Sequence, residues 1–433
     1  MDVAVRSTAP DGIVARVPTS RVPRVMKFGG TSVGDLERIS KVAARVEQHV
    51  RSGGKAIVTV SAMGRTTDRL IGQARELADR PLRRELDALL ATGEQQSAAL
   101  LAMALGARGV RARSFTGPQA GFLTDSRHGS ARILRVDAAA ISAALQAVDV
   151  AVVAGFQGAD ASGAITTLGR GGSDTTAVAL AAAIGAPECE IYTDTDGVYT
   201  TDPHVVASAT KLDEIDYAEM LELASHGAKV LHPASVWYAR HYGVRVHVRS
   251  SFTHAPGTVV KDLSAEAEGR MLTDKPVTGV AIDKGHARID LQTVPDRPGV
   301  AAKVFGALSS KGVGVDMIIQ GVRGAGDSRQ QMAFIVKRET VAEAIEALEP
   351  VLAELGATAT VDESVAKLTI VGMAIASTPG IAARMFEAVA DAGANIEAIT
   401  SSEVRLSVLI DAARAEEALK AVHTAFDLDA SPR

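Results

Sequence analysis

The chain has 433 residues; 47% are hydrophobic, 3% are aromatic and 22% are charged, and 46 basic against 51 acidic side chains leave a net charge of −5. This length predicts about three domains, the composition excludes a disordered or fibrous chain, and the charge balance gives no basic surplus for nucleic acid or an anionic membrane. The single Cys189 excludes an internal disulfide and a multi-thiolate metal site and fits a reducing compartment, so we expect a cytoplasmic protein.

Residues 1–23 mix Arg, Pro, Ser and Asp without an apolar core, which predicts a flexible extension and neither a secretory signal nor a membrane anchor. From there to residue 250, short β-branched runs alternate with amphipathic helices, and this alternation predicts a mostly parallel sheet covered by helices. The predicted strands are 24–28, 56–60, 150–154 and 190–193. The predicted helices are 175–184, ended by Gly185, and one whose apolar face carries Leu36, Ile39, Val42, Val46 and Val50.

The stretch VMKFGGTSVGD, residues 25–35, ends an apolar run on Lys27 and turns through Gly29 and Gly30 into a helix near Asp35. In a parallel α/β sheet this places one ammonium and bare backbone N–H groups at the carboxyl edge, where ligands bind. A helix N-terminus adds partial positive charge, so the stretch suits phosphate. It is not a Walker A loop, because the lysine precedes the glycines. Taken alone, it fits equally well a Gly-rich turn with a surface lysine.

A second Gly-rich helix start, TTLGRGGSDTT, carries Arg170 inside the loop and Ser173 and Asp174 at the start of the helix. Asp174 could be only an N-cap, worth about 1 kcal/mol. In the functional interpretation, Arg170 pairs with a substrate carboxylate while Asp174 orients the lysines. Two such helix starts, each with an isolated charge, favour the functional interpretation over coincidence.

Two further stretches follow. EIYTDTDGVYTTDP, residues 190–203, is either a plain hairpin or a loop that wraps the ribose and base of a nucleotide. HGAKVLHP, residues 226–233, supplies a second lysine, Lys229, suited to a β- or γ-phosphate.

Around residues 251–275 the periodicity is lost and Pro, Gly and charge increase, which predicts a linker. Beyond it, PGVAAKVFGALSSKGVGVDMI from Pro298 aligns without a gap with PGIAARMFEAVADAGANIEAI from Pro379, an offset of 81 residues. Each copy has the pattern of a βαββαβ module, and we predict that the two modules occupy 276–355 and 356–433.

Together, the motifs KFGGTSV, SAMGRTTD, Gly93-Glu94, TTLGRGGSDT, YTDTDGVYTTDP and GAKVLHP resemble those of the aspartate kinases in the amino acid kinase family, in the same order. The two repeats resemble the tandem ACT modules of that family, and the resemblance extends from about Arg24 to about Asp429. It implies a three-layer αβα catalytic domain over 24–250, followed by two ferredoxin-like ACT modules. It also implies ATP- and Mg²⁺-dependent phosphorylation of the β-carboxylate of L-aspartate, the first step toward lysine, threonine, methionine and isoleucine.

The resemblance implies roles for individual residues as well. Lys27 and Asp174 are expected to be catalytic, with no metal site of the protein's own because Mg²⁺ arrives with ATP. The residues expected around aspartate are Thr67, Glu94, Arg170 and Ser173. Those expected around ATP are Lys27, Phe28, Gly29, Gly30, Tyr192, Thr193, Asp194, Val198, Tyr199, Asp202, Pro203, Lys229 and Val230.

ACT pairs of this family bind pathway end products, usually lysine or threonine, and paired modules usually join chains, so such effectors and a homo-oligomer are implied. The residues expected at the effector site are Asp296, Gln320, Arg323, Asn395 and Glu403. Gly321 and Arg323 stand where relatives commonly have Asn and Ser, and a bulky cation in place of a hydroxyl suggests weakened or altered feedback inhibition. An Arg323 that points to solvent, with ordinary regulation, fits the sequence equally well.

Other functions are less favoured. A kinase of the same fold acting on glutamate, acetylglutamate, carbamate or a nucleoside monophosphate is disfavoured by Arg170, Glu94 and the paired repeats. An inactive amino-acid-binding regulator is disfavoured because every expected charged position is present. GGSDT lacks the last glycine of the hydrolase motif G-x-S-x-G. No metal-ligand template matches the spacing of His226, His232, His241, His247 and His254.

Overall fold

A computed structural model describes residues 22–263, 276–321 and 329–429. These residues form two compact units: the first contains 22–198, 211–224 and 229–263, and the second contains 199–210, 225–228 and the described residues from 276 onward. No helix in these three ranges is both long and apolar enough to cross a bilayer. Most of the predicted extension, 1–21, and residues 264–275 of the predicted linker lie outside the described residues.

The first unit is built on an eight-stranded sheet. Its strands, in spatial order, are β12 (Glu214–Asp216), β14 (Thr258–Lys261), β13 (Arg245–Ser250), β9 (Glu188–Thr193), β1 (Arg24–Phe28), β2 (Ala56–Val60), β6 (Val150–Ala154) and β3 (Ala112–Phe115). All neighbours are parallel except β13 and β14. The predicted mostly parallel sheet is confirmed, and β1, β2 and β6 have the predicted bounds.

Two smaller groups of strands complete this region. A four-stranded sheet has the order β5 (Ile133–Val136), β4 (Phe122–Thr124), β7 (Gln157–Ala159) and β8 (Ile165–Thr167). The short strands β10 (Val198–Tyr199) and β11 (Lys211–Leu212) lie further along the chain. The helices are α1 (Leu36–Arg51), α2 (Thr66–Leu77), α3 (Arg83–Gly106), α4 (Ala139–Ala147), α5 (Gly172–Ile184), α6 (Tyr217–Ser225) and α7 (Pro233–Tyr242).

Helices cover both faces of the large sheet. Met26 and Phe28 of β1 pack in one buried cluster with Ile39 of α1 and Leu101 of α3. Because successive strand residues point to opposite faces, Lys27 is directed to the other side, where α5 packs on β1, β2 and β9. The three-layer αβα arrangement therefore sets an apolar face against α1 and α3 and brings Lys27 to α5.

Helix α1 begins after Asp35, whose side chain accepts a hydrogen bond from the N–H of Arg38 at 2.8 Å. Ile39 and Val42 are buried as predicted, as is Val46, and Val50 is half-buried. The prediction that Leu36 belongs to the apolar face is wrong, since its side chain is 66% exposed. Leu36 is the first helical residue, next to the exposed N-cap, and the buried part of the face starts one turn later.

The second unit contains two four-stranded antiparallel sheets, each covered by helices. The first sheet has the order β17 (Val315–Gln320), β18 (Arg329–Lys337), β16 (His286–Pro295) and β19 (Thr358–Asp362). The second has the order β15 (Gly279–Asp283), β20 (Val365–Val371), β22 (Arg405–Asp411) and β21 (Ala398–Ser402). The helices are α8 (Val300–Ser310), α9 (Val341–Leu355), α10 (Ile381–Asp391) and α11 (Ala415–Ala425), with short 3₁₀ turns at Arg338–Thr340 and Ala412–Arg414.

The two copies are nested in the chain. The first copy runs continuously as β16, α8, β17, β18, α9 and β19, a complete βαββαβ module. The second copy supplies β20, α10, β21, β22 and α11, and its fourth strand is β15, which precedes the first copy in sequence and pairs antiparallel with β20. The pairing of β15 with β20 and that of β16 with β19 therefore both cross the boundary predicted between residues 355 and 356.

Candidate active site

Lys27 and Asp174 form a buried ion pair. The Nζ atom of Lys27 lies 2.5 Å from Oδ1 of Asp174, and each side chain is only 10% exposed. Lys27 is the penultimate residue of β1, and Asp174 lies in the first turn of α5, where a carboxylate is favoured by the helix dipole. The strand end and the helix start therefore hold one cation and one anion together at the carboxyl edge of the sheet.

Backbone N–H groups lie next to this pair. Among the described residues, the N–H groups of Gly30 and Thr31 donate to no protein acceptor. A Cβ on Gly30 would lie 2.9 Å from the carbonyl oxygen of Ala62, so the close approach of two loops requires glycine there. These two free donors follow Gly29, where a Cβ would lie 3.4 Å from Nζ of Lys27, so the loop is suited to anionic oxygens.

Glu94 of α3 is a buried carboxylate with an unused oxygen. Its side chain accepts a hydrogen bond at Oε1 from the N–H of Ala62 at 3.0 Å, and Oε2 has no partner within the described residues. Burial raises the pKa of Glu94 to about 7, although the hydrogen bond from Ala62 opposes the shift. A buried oxygen without a partner is costly, so the site suits a ligand cation that would complete it.

Ser173 lies at the same edge of the sheet. It is buried at the start of α5, and a Cβ on Gly155, the residue after β6, would lie 2.8 Å from the Ser173 Oγ. Ala62, which holds Glu94, follows β2 in the same way. The carboxyl ends of the neighbouring strands β1, β2 and β6 therefore gather Lys27, Glu94 and Ser173.

Asp87 is a functional candidate that sequence reasoning missed. It lies on α3, is 1% exposed, and accepts hydrogen bonds from the hydroxyl (2.7 Å) and N–H (3.0 Å) of Thr167, the N–H of Gly129 (3.0 Å) and Nδ1 of His128 (3.1 Å). Thr167 ends β8, three residues before Arg170. Asp87 thus fixes the strand from which the Arg170 loop departs.

Arg170 and Lys229 are the two exposed cations among those predicted residues that the structure describes. In the part of the chain that the structure describes, neither forms an ion pair or a hydrogen bond through its side chain. Gly171, with φ of 67°, is the N-cap of α5, and a Cβ there would lie 2.1 Å from Cγ of His232. Because His232 follows Lys229 by three residues, the turn that carries Lys229 packs against the loop that carries Arg170.

Comparison with known proteins shows the family to which a chain with this geometry belongs. The model of the amino acid kinase family matches residues 23–250, and that of the ACT domain matches 292–352 and 368–426. An aspartokinase from Thermus thermophilus is 59% identical over 405 residues, 94% of this chain and 98% of that relative. One from Pseudomonas aeruginosa is 48% identical over 410 residues, 94% and 98% of the two chains. The chain belongs to the aspartokinases of the amino acid kinase family.

A solved structure of an aspartokinase supports the same grouping. The crystal structure of Escherichia coli aspartokinase III in complex with aspartate and ADP matches with a TM-score of 0.76 at 27% identity, covering 93% of this chain and 99% of that one. The same enzyme in complex with lysine and aspartate matches with a TM-score of 0.68 over the same shares of the two chains.

The aspartokinase resemblance assigns Phe28 and Tyr192 to ATP, and the structure gives both side chains another role. Their rings stack at 4.7 Å between centroids, and the Tyr192 hydroxyl donates to Oε2 of Glu190 at 3.1 Å. The Tyr192 side chain is buried, and the guanidinium of Arg45 lies 4.9 Å from its ring centroid. Contact of these two residues with ATP stays a prediction, and the carbonyl oxygen of Tyr192 accepts a hydrogen bond from the N–H of Gly29 at 3.2 Å.

The predicted nucleotide residues from Thr193 to Pro203 lie at the end of β9, in β10 and in the turns beside them. The Thr193 hydroxyl donates to Oδ1 of the exposed Asp194 at 3.0 Å, and the N–H of the buried Val198 donates to the Thr258 hydroxyl at 2.8 Å. Tyr199, Asp202 and Pro203 belong to the second unit, where the Asp202 carboxylate closes a turn by accepting from the N–H of His204 at 2.9 Å. Thr67, in the first turn of α2, and Val230, beside Lys229, are half-buried.

The predicted effector residues of the aspartokinase repeats occupy loops and strand ends of the second unit. Asp296 follows β16 and accepts from Nε2 of Gln330 at 3.5 Å, and Gln320 is the last residue of β17. Asn395 and Glu403 are exposed at the two ends of β21. Arg323 lies outside the described residues.

One trio of possible metal ligands occurs within the described residues. One ligand atom each of Glu188, Glu190 and His247 lies within 4.8 Å of the others. The Glu190 carboxylate is already neutralised by Arg249 at 3.2 Å and Arg24 at 3.7 Å. Because these arginines balance its charge, the trio is best explained as a structural ion-pair network across β9 and β13.

Proposed function

We propose that the protein transfers the γ-phosphoryl group of ATP to the β-carboxylate of L-aspartate and so forms 4-phospho-L-aspartate. The observation that carries this proposal is the buried pair of Lys27 and Asp174 at the end of β1, beside the free N–H groups of Gly30 and Thr31. A carboxylate acceptor is ionised at pH 7 and needs no general base. The barrier is repulsion between anions, which preorganised cations and N–H donors lower.

Each charged group of the site has a place in this reaction. Lys27, held by Asp174, stabilises the charge on the transferring phosphoryl group, and Lys229 neutralises the β- or γ-phosphate of the nucleotide. Mg²⁺ supplies further neutralisation of the phosphates. We assign it no protein ligand, because Asp174, the carboxylate beside the phosphate site, is already paired with Lys27.

Recognition of aspartate uses its two remaining charges. The α-carboxylate pairs with Arg170, whose guanidinium binds a carboxylate through two parallel hydrogen bonds. The ammonium completes the unused Oε2 of Glu94. Thr67 and Ser173 supply hydroxyl groups around the side chain of the substrate.

The test is aspartate-dependent release of ADP, with hydroxylamine trapping of the acyl phosphate. Glutamate, acetylglutamate, carbamate and a nucleoside monophosphate serve as competing acceptors. We expect turnover and hydroxamate with aspartate alone. Turnover with another acceptor and none with aspartate would reassign the substrate, and absence of ADP with saturating aspartate and Mg-ATP would leave only an amino-acid-binding role.

Regulation by an end product is the second part of the proposal. The solved structure of E. coli aspartokinase III with lysine and aspartate supports lysine as an effector here, with threonine as the alternative. We infer that Asp296, Gln320, Asn395 and Glu403 contact the effector and that Arg323 weakens its binding. Titration of the activity with lysine, with threonine and with both tests this part. Strong inhibition by lysine below about 1 mM, which corresponds to a binding free energy of about −4 kcal/mol or better, would refute the weakened feedback.

A homo-oligomer formed through the repeats is the third part. β17 and β21 are edge strands, and they expose Ile318 and Ile399, at 55% and 51%. An exposed apolar edge strand is a template for pairing with a second chain. Light scattering after size exclusion measures the mass, and charged substitutions at Ile318 and Ile399 should release the single chain.

A further inference from the structure

A cavity of about 560 Å³ lies inside the second unit, between the two nested modules. Its charged lining consists of Asp316, Lys337, Glu339, Lys367 and Arg405. Three cations thus face two carboxylates, before any histidine is protonated. None of the described residues predicted to contact lysine or threonine lines it. The cavity is therefore a separate polar site with a positive surplus.

Lys367 is the most unusual residue of this lining. It lies within β20, every residue of which is buried, and its side chain is 2% exposed. Lysine is almost never buried to this degree, because desolvation of an ammonium is costly. Its Nζ atom lies 2.5 Å from Oδ2 of Asp316, its one ion pair among the described residues. An ammonium has three protons, so further acceptors are needed beyond this one carboxylate.

Asp316 does not balance the cavity by itself. Its side chain is 37% exposed, so it shares its charge with solvent. Burial raises the pKa of Asp316, but the hydrogen bond and charge of Lys367, together with the charge of Arg405, outweigh burial and hold that pKa below its usual value. The same carboxylate therefore faces two cations, and Asp283, opposite Lys367 in the pairing of β15 with β20, is a second nearby carboxylate. Lys367 itself has one hydrogen-bond acceptor, Asp316, among the described residues.

Two imidazoles complete the polar lining. Both His226 and His286 are buried and line the cavity, and Nε2 of His226 lies 3.2 Å from a guanidinium nitrogen of Arg405. An ammonium and a guanidinium around one space are groups that bind anionic oxygens through charge-assisted hydrogen bonds. A purely structural ion pair would pack against apolar side chains and leave no cavity.

We propose that this cavity binds a small anion that carries carboxylate or phosphoryl oxygens. The anion accepts hydrogen bonds from Lys367 and Arg405 and supplies the acceptors that Asp316 alone does not. The binding itself does not depend on the proposed reaction.

Isothermal titration of the full chain tests the site with two probes, sodium phosphate and sodium succinate, against sodium chloride at equal ionic strength. We expect saturable binding of at least one probe, and the probe that binds identifies phosphoryl or carboxylate oxygens as the preferred group. Lys367→Met, which keeps the length of the side chain and removes the charge, should weaken binding about tenfold or more. No saturable heat with either probe would overturn the proposal.

Two further variants keep the result clear. Lys303→Met removes an exposed lysine of α8 that pairs with Glu354, and it should change affinity less than about twofold. Gly314→Met fills the cavity from its wall: a Cβ there meets no atom within 4 Å, and Gly314 does not have a left-handed φ. This variant decides the matter if Lys367→Met does not fold. Affinity that is unchanged in Gly314→Met, or lost equally in Lys303→Met, would overturn the site.

Discussion

Each unit of the molecule contains a buried lysine paired with an aspartate at 2.5 Å, and the two pairs differ in their surroundings. Lys27 lies near the end of a strand, and its partner Asp174 lies in the first turn of a helix, with both side chains 10% exposed. Lys367 lies inside a strand, is 2% exposed, and pairs with Asp316, which is 37% exposed. In the first pair both side chains are buried to the same degree, whereas in the second pair the lysine alone is buried.

This difference determines what each pair needs. In the first unit the two charges neutralise one another as an ion pair, and the N–H groups of Gly30 and Thr31 stay free for a ligand. In the second unit the partner is partly in solvent, and the ammonium lines a cavity with Asp316 as its one hydrogen-bond acceptor among the described residues. The first pair is therefore enclosed on both sides, whereas the second borders a space that accepts a ligand.

The largest expected effect is on stability, and it contrasts the two lysines directly. Lys27→Met leaves the buried Asp174 unpaired and should lower the free energy of unfolding by about 3–5 kcal/mol, while Lys367→Met leaves an aspartate that can still reach water and should lower it less. Urea denaturation followed by circular dichroism measures both. Equal losses would show that burial of the partner does not distinguish the pairs.

The next effect is on turnover. Lys27→Met should lower kcat by about 10²-fold or more, by analogy with the removal of one preorganised donor. ADP release is measured well below the melting transition, with circular dichroism to show that the variant is folded. Lys41→Met removes an exposed lysine paired with Glu37 on α1 and serves as the control that keeps normal turnover. Near-normal kcat in the Lys27 variant would remove this residue from the mechanism.

The first unit should also respond to pH through Glu94. Its pKa is raised to about 7 by burial, so the carboxylate is protonated below that pH and no longer attracts the ammonium of aspartate. We expect kcat/KM for aspartate to fall about tenfold per pH unit below pH 7, since binding requires the ionised form. Glu94→Gln should have a low and pH-independent kcat/KM in this range. A wild-type profile that is flat from pH 5.5 to 7 contradicts the assignment.

A smaller effect should follow from loosening the Arg170 loop. Asp87→Asn replaces a carboxylate that accepts four hydrogen bonds with an amide that has one acceptor oxygen, so β8 and the loop after it shift. We expect KM for aspartate to rise about tenfold with a much smaller change in kcat, because Asp87 positions Arg170 and does not touch the substrate. Asp160→Asn, in the turn at the other end of β8, is the matched control. Equal KM values in the two variants would exclude this role.

The smallest effect concerns His423 of the second unit. Burial lowers the pKa of this imidazole below its ordinary value of 6.5, with a partial opposing effect of Asp429. The unfolded chain therefore binds the proton more readily, so the free energy of unfolding should fall as pH drops below 6.5, with a slope of at most about 1.4 kcal/mol per pH unit. Denaturation at pH 7 and pH 5 measures it. His423→Gln should reduce the slope, and an unchanged slope would assign it to other groups.

The sequence predicted the fold correctly where neighbouring residues alone determine the element. Strands β2 and β6 are short apolar runs bounded by polar or glycine residues, and β1 lies between Pro23 and Gly29, so their bounds were predicted correctly. Helix α5 begins at Gly172 and not at residue 175, because the glycines that argue against a helix are used there for close packing. The sequence did not predict that β15 completes the sheet of the second copy and β19 that of the first. In a repeat pattern, either strand fits either sheet equally well.

Among the site residues, too, those with a local sequence pattern were predicted and those defined by distant contacts were not. Lys27 and Asp174 lie beside glycines at element ends, and that local pattern revealed them. Asp87 is recognised only by its contacts, with partners 41, 42 and 80 positions away, which leave no local signal. The available clue was its position on the helix face that also carries Leu90 and Glu94, where a carboxylate is out of place. For Lys367, the clue was a cation inside an otherwise apolar strand.

The nesting of the repeats affects how the chain is made. Strand β15 leaves the ribosome before the first module, yet its partner β20 is synthesised only after that module is complete. During this interval the first module has all its own strands and folds, while β15 waits with an open hydrogen-bonding edge. The second module therefore closes last, and a nascent chain interrupted between the two repeats would carry a folded module and one strand with no sheet to join.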